Sequence, residues 1–294
     1  MIYDSIIIGK GPAGIQAGLY MKRANLNILI IGKDGGSLEK TDKIENFYGQ
    51  ENVISGKDLV EKGILQIEQL GVEVLTDEVV AIEYIENEKK LMFKIKTLKT
   101  EYISKTVLIA TGVNRKTPSI PGIKDFEGRG VSYCAICDGF FYRDKEVAVI
   151  GNGNYAISEV EALLSVTNKI TVLTNGKSEV LLRDKDIACN SKEISSVVGD
   201  TKVEKIIFKD NTEMNVNGVF IAEGTASSVD FARKLGAEIN NNTIIVNKEN
   251  METNVKGLFA AGDCTGGENY QIAKAVYEGM KAGLGIVKYI KNNK

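Results

Sequence analysis

Apolar, β-branched runs that end in glycine-rich turns set the pattern of this chain. Residues 2–8 form such a run and stop at Gly9-Lys10-Gly11-Pro12-Ala13-Gly14; residues 15–24 then carry helical spacing, and residues 27–31 return to a short apolar run. A strand buried on both faces reads as continuous apolar sequence, and a helix lying on a sheet shows a 3.6-residue period. The three segments therefore predict a strand, a helix and a second strand, a βαβ unit. The design recurs downstream: residues 146–150 predict a strand, Gly151-Asn152-Gly153-Asn154-Tyr155-Ala156 a turn, residues 157–166 a helix and residues 170–174 another strand. The expected fold is α/β, with two Rossmann-like, doubly wound nucleotide-binding domains.

Between the two units, residues 56–70 predict a helix, and residues 79–85, 91–97 and 106–110 predict strands of a meander packed beside the first sheet. The segment 114–122 carries two of the three prolines and follows the strand ending Ala110-Thr111-Gly112, so it reads as an interdomain linker. Downstream, Asn240-Asn241-Asn242 precedes a strand at 243–246, and a further apolar run covers 257–263. If that last run returns to the first domain, the second is an insertion. The organisation expected is one domain from residues 1–114 and 238–294, with residues 115–237 as the second, inserted domain.

The first turn has the spacing of a dinucleotide fingerprint. Gly9 permits the sharp turn, Gly11 lets backbone N–H groups approach a pyrophosphate, and Gly14 lets the helix pack closely, while the helix N-terminus favours negative charge. Asp34 follows Gly14 by 20 residues, just past the second strand, where an acidic side chain accepts a ribose hydroxyl. The second turn repeats the spacing with Gly151, Gly153 and Ala156. Its partner strand ends Thr174-Asn175-Gly176-Lys177, where an NAD site calls for a carboxylate and an NADP site for arginine. Neither is present, so a nucleotide fold without its ligand stands beside a nucleotide fold with an unusual one.

Composition narrows the chemistry. Lys+Arg 37 against Asp+Glu 39 leaves no basic surplus for nucleic acid or an anionic membrane, and 43% hydrophobic residues over 294 positions suffice for one large core or two modest ones. Neither a membrane span nor a secretion signal is expected, which points to a cytoplasmic protein. The chain has no His and no Trp, so proton transfer falls to carboxylates, Cys, Tyr or Lys. Two of the four Cys stand as Cys134-Ala135-Ile136-Cys137, followed by Asp138. A structural zinc would need two further ligands, and the singly placed Cys189 and Cys264 read as small buried apolar residues, so no metal site is expected. Two thiols at this spacing close a small disulfide and exchange with a partner disulfide, and an adjacent carboxylate can move the proton.

Taken in order, GxGPAG at 9–14, Glu45-Asn46 before Phe47-Tyr48-Gly49, Ala110-Thr111-Gly112, Cys134-Ala135-Ile136-Cys137-Asp138-Gly139 and Ala261-Gly262-Asp263-Cys264 resemble the low-molecular-weight thioredoxin reductases over essentially the whole chain. That resemblance implies a homodimeric flavoenzyme that reduces thioredoxin, with an FAD domain split by a smaller domain bearing the Cys-x-x-Cys. It places Gly9, Gly11 and Gly14 on the FAD pyrophosphate, Asn46 near the flavin, Asp263 on the ribityl-phosphate region and Gln271 against the isoalloxazine. It also implies FAD contacts from Pro12, Ala13, Gly36, Ser37, Val79, Ala110, Thr111 and Gly112, and from Gly262, Tyr270 and Ile272. Cys137 would be the flavin-proximal thiol, Cys134 the thiol that attacks the substrate, and Asp138 the acid/base.

Two departures qualify the likeness. The arginines that take a 2′-phosphate in the family are replaced by Thr174-Asn175-Gly176-Lys177, with the bulky Tyr155 in the turn where a pyrophosphate would sit, and the family's Arg-Gln pair is Tyr270-Gln271. This pattern is similar to the ferredoxin-dependent flavin thioredoxin reductases, and it implies ferredoxin as donor. An NAD(P)H-dependent reductase with an atypical site, a flavin dithiol oxidase and a flavin-binding redox sensor are the alternatives. Lys274, Lys281, Lys288, Lys291 and Lys294 against Glu278 form either a docking patch for an acidic ferredoxin or a solvated helix face.

Overall fold

Strand formation begins where β-branched residues are densest. In the computed structural model, which describes all residues except 88–89, 113–118, 134, 178–186, 224–226, 241, 268–269 and 294, β1 (Ile2–Ile8) leads into α1 (Pro12–Arg23) and then β2 (Ile28–Gly32). β1 and β2 run parallel from Ser5↔Ile28 to Ile8↔Ile31. Every residue of β2 is buried, which is why it reads as unbroken apolar sequence. Pro12 opens α1, where its fixed φ suits the helix and its missing N–H costs nothing. Helix α2 (Gly56–Gln69) starts at Ser55, whose Oγ accepts the Asp58 N–H at 3.0 Å, and leads to β3 (Glu73–Thr76), parallel to β2.

β4 (Val79–Asn87), β5 (Lys90–Thr97) and β6 (Glu101–Ile109) form an antiparallel meander. It is not a separate element packed beside the first sheet, as expected, but a continuation of that sheet. β6 starts at Glu101 and pairs with β1 from Ile2↔Ile103 to Ile8↔Ile109. Residues 101–105 mix exposed and covered positions, so a search for continuous apolar runs misses the strand's first half.

The next segment forms β7 (Val131–Ser132), α3 (Ala135–Asp138), β8 (Val147–Ile150), α4 (Asn154–Leu163), β9 (Ile170–Leu173), β10 (Ala188–Asn190), β11 (Ile194–Gly199), β12 (Val203–Phe208), β13 (Glu213–Asn215) and β14 (Gly218–Ile221). A parallel sheet in the order β10-β9-β8-β14-β7 carries the second βαβ unit, and β11-β12-β13 make a small antiparallel sheet. One core packs the parallel sheet against the antiparallel one through Ile150, Val197, Ile206 and Val219. The other lies under α4 and includes Val149, Tyr155, Val160 and Leu163.

The chain then forms α5 (Ser228–Lys234), β15 (Ile239–Asn240), β16 (Thr243–Ile244), β17 (Leu258–Ala260) and α6 (Ile272–Asn292). β17 pairs in parallel with the end of β6, from Leu258↔Val107 to Ala260↔Ile109. Two compact units result, Met1–Asn114 with Ser227–Lys294, and Arg115–Ala226. The return falls at Ser227, upstream of the expected 238. The reason is local: Ser227 and Asp230 form a reciprocal capping box that starts α5, and Ser228 Oγ donates to the Gly112 carbonyl at 3.0 Å, which commits α5 to the first unit. Helix α6 lies directly on α1. A Cβ at Gly279 would stand 2.2 Å from the Ala13 carbonyl oxygen, and one at Gly283 would stand 2.7 Å from that of Ala17, so only glycine allows the approach. Among the described residues no helix is long and apolar enough to cross a membrane.

Candidate active site

The carboxyl ends of β1 and β6 meet at the first glycine turn. Gly9 has φ +113°, and a Cβ there would lie 2.3 Å from the Ala110 carbonyl oxygen; one on Gly14 would lie 2.0 Å from that of Gly9. These two glycines close the turn against the sheet. Gly11 differs: nothing lies within 4 Å of its Cβ position. It is the N-cap of α1, no side chain caps the helix, and the free N–H groups of the first turn, starting at Ala13, are left for an anion. Gly112, with φ +70°, opens onto equally clear space, and beside it the Thr111 Oγ1 is buried with no hydrogen-bond partner. A buried hydroxyl without a protein partner beside an open glycine suits a polar ligand.

Residues scattered in sequence join this turn's unit. Asp34 is exposed past the end of β2 and accepts the Gly36 N–H at 2.9 Å, in a loop that also presents Ser37. Asn46 Nδ2 donates to Gln271 Oε1 at 3.4 Å, linking positions far apart in the chain. Val79 is buried in β4 opposite Thr97. Gln271 is the N-cap of α6, Tyr270 before it is exposed and Ile272 is the first residue of the helix.

Sequence reasoning missed the device that holds the loop after β17. Gly262 has φ +87°, and both of its polar backbone groups are taken: Glu278 Oε2 accepts its N–H at 2.9 Å, and its carbonyl accepts from Lys274 Nζ at 3.2 Å and the Thr265 N–H at 3.1 Å. Lys274 and Glu278 pair at 3.1 Å with i,i+4 spacing, the one signal that could have revealed them. Burial raises the Asp263 carboxyl above its ordinary value, the Lys274 ammonium opposes that rise, and the Glu278 carboxylate adds to it. Lys274 therefore leaves the surface lysine patch, and Lys281 Nζ is likewise engaged, by the Lys248 carbonyl; Lys294 lies outside the described residues. Cys264 is buried as expected, its thiol pushed up to about 12 by burial, but Cys189 is exposed on β10, a correction.

In the second unit, Cys134 lies outside the described residues and only the backbone of Cys137 is described, within α3. What surrounds them is defined. Ser132 Oγ donates to Asp138 Oδ2 at 2.6 Å, the Tyr155 hydroxyl donates to the Tyr133 carbonyl at 3.0 Å, and the Ala135 N–H donates to Glu159 Oε2 at 2.6 Å. Burial raises the Tyr142 hydroxyl above its ordinary value, and the Asp138 charge adds to that. Tyr155 thus corrects an expectation. Its ring does not obstruct the glycine turn but is 3% exposed inside the core under α4, where its hydroxyl finds a backbone acceptor.

At the far end of β9 the structure explains what replaces the absent arginines. Thr174 Oγ1 donates to the Lys177 carbonyl at 2.7 Å, and Asn175, at φ +50°, accepts the Ile194 N–H at 2.7 Å. A cleft of about 400 Å³ opens here, lined by Ser119, Ile120, Asn175, Glu193, Ile194, Lys209 and Glu223. Lys177 is paired with Glu223, and Lys209 with Glu193. These two lysines are thus already paired with carboxylates, and no arginine lines the cleft among the described residues. Nor do the described residues contain a group of three or more potential metal ligands.

Comparison with known proteins gives this geometry its context. The family model for pyridine nucleotide-disulphide oxidoreductases matches residues 3–279. The thioredoxin reductase of Aquifex aeolicus is 35% identical over 318 residues, spanning 100% of this chain and 95% of its own. Among solved structures, an atypical thioredoxin reductase from Desulfovibrio vulgaris Hildenborough superposes with a TM-score of 0.92 at 37% identity, covering 99% of this chain and 98% of that one. A ferredoxin-flavin thioredoxin reductase from Clostridium acetobutylicum superposes at 0.69 with 32% identity, over 99% of both chains.

Proposed function

The chain belongs to the pyridine nucleotide-disulphide oxidoreductase family, and from this premise we propose that it is an FAD-dependent thioredoxin reductase whose electrons come from reduced ferredoxin. The first unit fits FAD. The open N-terminus of α1 at Gly11 suits the pyrophosphate, the orphaned Thr111 hydroxyl and the clear space at Gly112 suit a polar ligand along the sheet end, and the clamped Gly262-Asp263 loop presents a carboxyl to a ribityl chain. Asn46, Tyr270 and Gln271 line the flavin end in this reading. When bound, FAD relays electrons from a donor that releases them singly to a disulfide that takes two.

The remaining chemistry belongs to the chain. The Cys134 thiolate attacks the thioredoxin disulfide and forms a mixed disulfide; the Cys137 thiolate then displaces the thioredoxin thiol and closes the Cys134–Cys137 disulfide. Asp138, oriented by Ser132, holds and returns the proton, a task no His is present to perform. A cytoplasmic homodimer completes the reading.

One observation carries the choice of donor: Lys177 after β9 and Lys209 after β12, the lysines at the cleft, are paired with Glu223 and Glu193. A 2′-phosphate would displace a carboxylate from each lysine and then face that carboxylate, with no arginine fork among the described residues to offset the cost. The name of the Clostridium acetobutylicum neighbour lends second support. The test is anaerobic reduction of the yellow protein. Millimolar NADPH or NADH leaves the flavin absorbance oxidised over minutes, whereas reduced ferredoxin bleaches it and sustains thioredoxin reduction. Saturable bleaching by micromolar nicotinamide nucleotide would refute the assignment.

A further inference from the structure

Helix α4 presents two side chains to the backbone on either side of Cys134. Tyr155, in its first turn, donates to the Tyr133 carbonyl at 3.0 Å, and Glu159, four residues on and so on the same face, accepts the Ala135 N–H at 2.6 Å. The groups they hold are the carbonyl immediately before Cys134 and the N–H immediately after it. Glu159 is 0% exposed. A carboxylate is buried to that degree only where hydrogen bonds compensate it, and one that is held there puts a fixed negative charge within a residue of a reactive cysteine. Like charges in a poorly solvated interior repel, so such a charge disfavours the thiolate.

We propose that Glu159 is a positioning residue of the dithiol: its carboxylate fixes the Ala135 peptide and keeps the Cys134/Cys137 pair as thiols until a base takes the proton. This deepens the reductase reading and rests on it. It also gives Asp138 its task, since thiols that do not ionise by themselves need an acceptor. Among the described side chains, the titratable groups that the packed elements bring to this core are Asp138 on α3, Tyr142 and Tyr155, with Tyr133 contributing its carbonyl. β8 (Val-Ala-Val-Ile) and β9 (Ile-Thr-Val-Leu) contribute none. Asp138 is the one further carboxyl in that set, and it is held by Ser132.

The test is the pH profile of iodoacetamide alkylation of the reduced holoenzyme, read peptide by peptide by mass spectrometry, for the wild type, Glu159→Gln, Glu159→Asp and Tyr155→Phe. Glu159→Gln keeps an acceptor for the Ala135 N–H and removes the charge. Its Cys134/Cys137 profile should move to a pH about one lower. Alkylation at neutral pH should then rise roughly threefold to tenfold, the range allowing for the lower nucleophilicity of a more acidic thiol. Tyr155→Phe removes a clamp without removing charge, and Glu159→Asp keeps the charge on a shorter arm; both should stay near the wild-type profile, as should the exposed Cys189 in every variant. A Glu159→Gln profile coincident with wild type would overturn the proposal, and so would Tyr155→Phe moving the profile as far as Glu159→Gln does. Should Glu159→Gln fail to fold, Glu159→Asp decides: a displaced profile would mean that the clamp matters and the charge does not. None of these measurements needs ferredoxin or thioredoxin, so failure of the reductase reading would show separately, as absent turnover in the wild type.

Discussion

Replacing Lys274 by Met tests whether the clamp on Gly262 is what holds the loop after β17, to which the proposed function assigns flavin binding. The ammonium contacts the Glu278 carboxylate at 3.1 Å and the Gly262 carbonyl at 3.2 Å, with side-chain exposures of 20% for Lys274 and 8% for Glu278. Breaking a fully buried ion pair costs about 3–5 kcal/mol; the partial exposure of Lys274 and the two donors that Glu278 retains, Gly262 N–H and Thr265 Oγ1, bring the expectation to about 2 kcal/mol. For a chain of this length that corresponds to a fall in Tm of roughly 4–8 °C. The loss should also depend on pH. Burial already raises the Asp263 carboxyl, and removing Lys274, which opposes that rise, raises it further. A group whose folded-state pKa is raised lends stability that is present below its unfolded value and lost as pH rises through the folded one. The deficit of Lys274→Met should therefore be smallest below the ordinary value of 3.8 and grow as pH rises past the raised one. The chain has no Trp, so unfolding of the apoprotein is best followed by circular dichroism, with FAD retention measured in parallel. Lys274→Arg should recover most of the loss. A Lys274→Met protein with wild-type Tm, pH dependence and FAD content would refute the reasoning.

The two kinds of glycine in the first turn should separate cleanly. Gly14→Ala puts a methyl 2.0 Å from the Gly9 carbonyl oxygen and should lower stability by about 3 kcal/mol along with FAD binding, while Gly11→Ala, with nothing within 4 Å, should leave urea unfolding of the apoprotein unchanged within ~0.5 kcal/mol and weaken FAD alone. Asp138→Asn should slow reduction of thioredoxin by roughly 10²-fold or more with FAD content unchanged, as stopped-flow kinetics will show; unaltered kinetics would return Asp138 to a structural role as the acceptor for Ser132.

Much of this protein was legible in the order of its residues. The strands of both βαβ units, the glycine turn with its Pro12 helix start, the Cys-x-x-Cys followed by a carboxyl, and the missing arginines all depend on periodicity, turn chemistry or residue type within a short window. Those properties are local, so a linear reading reaches them. What the tertiary structure decided involves partners distant in sequence. β6 joins the meander to the first sheet because Ile2–Ile8 lies beside it. Lys177 meets a carboxylate 46 residues away, Asn46 meets Gln271 across 225, and Glu159 reaches Ala135 across 24. Nothing in a local pattern marks Glu159 as different from any other helix glutamate, or Tyr155 as turned inward. A hydrogen bond or ion pair depends on where the folded chain brings its ends, and only the packing of α4 and α6 against the elements beneath them assigned these side chains their work.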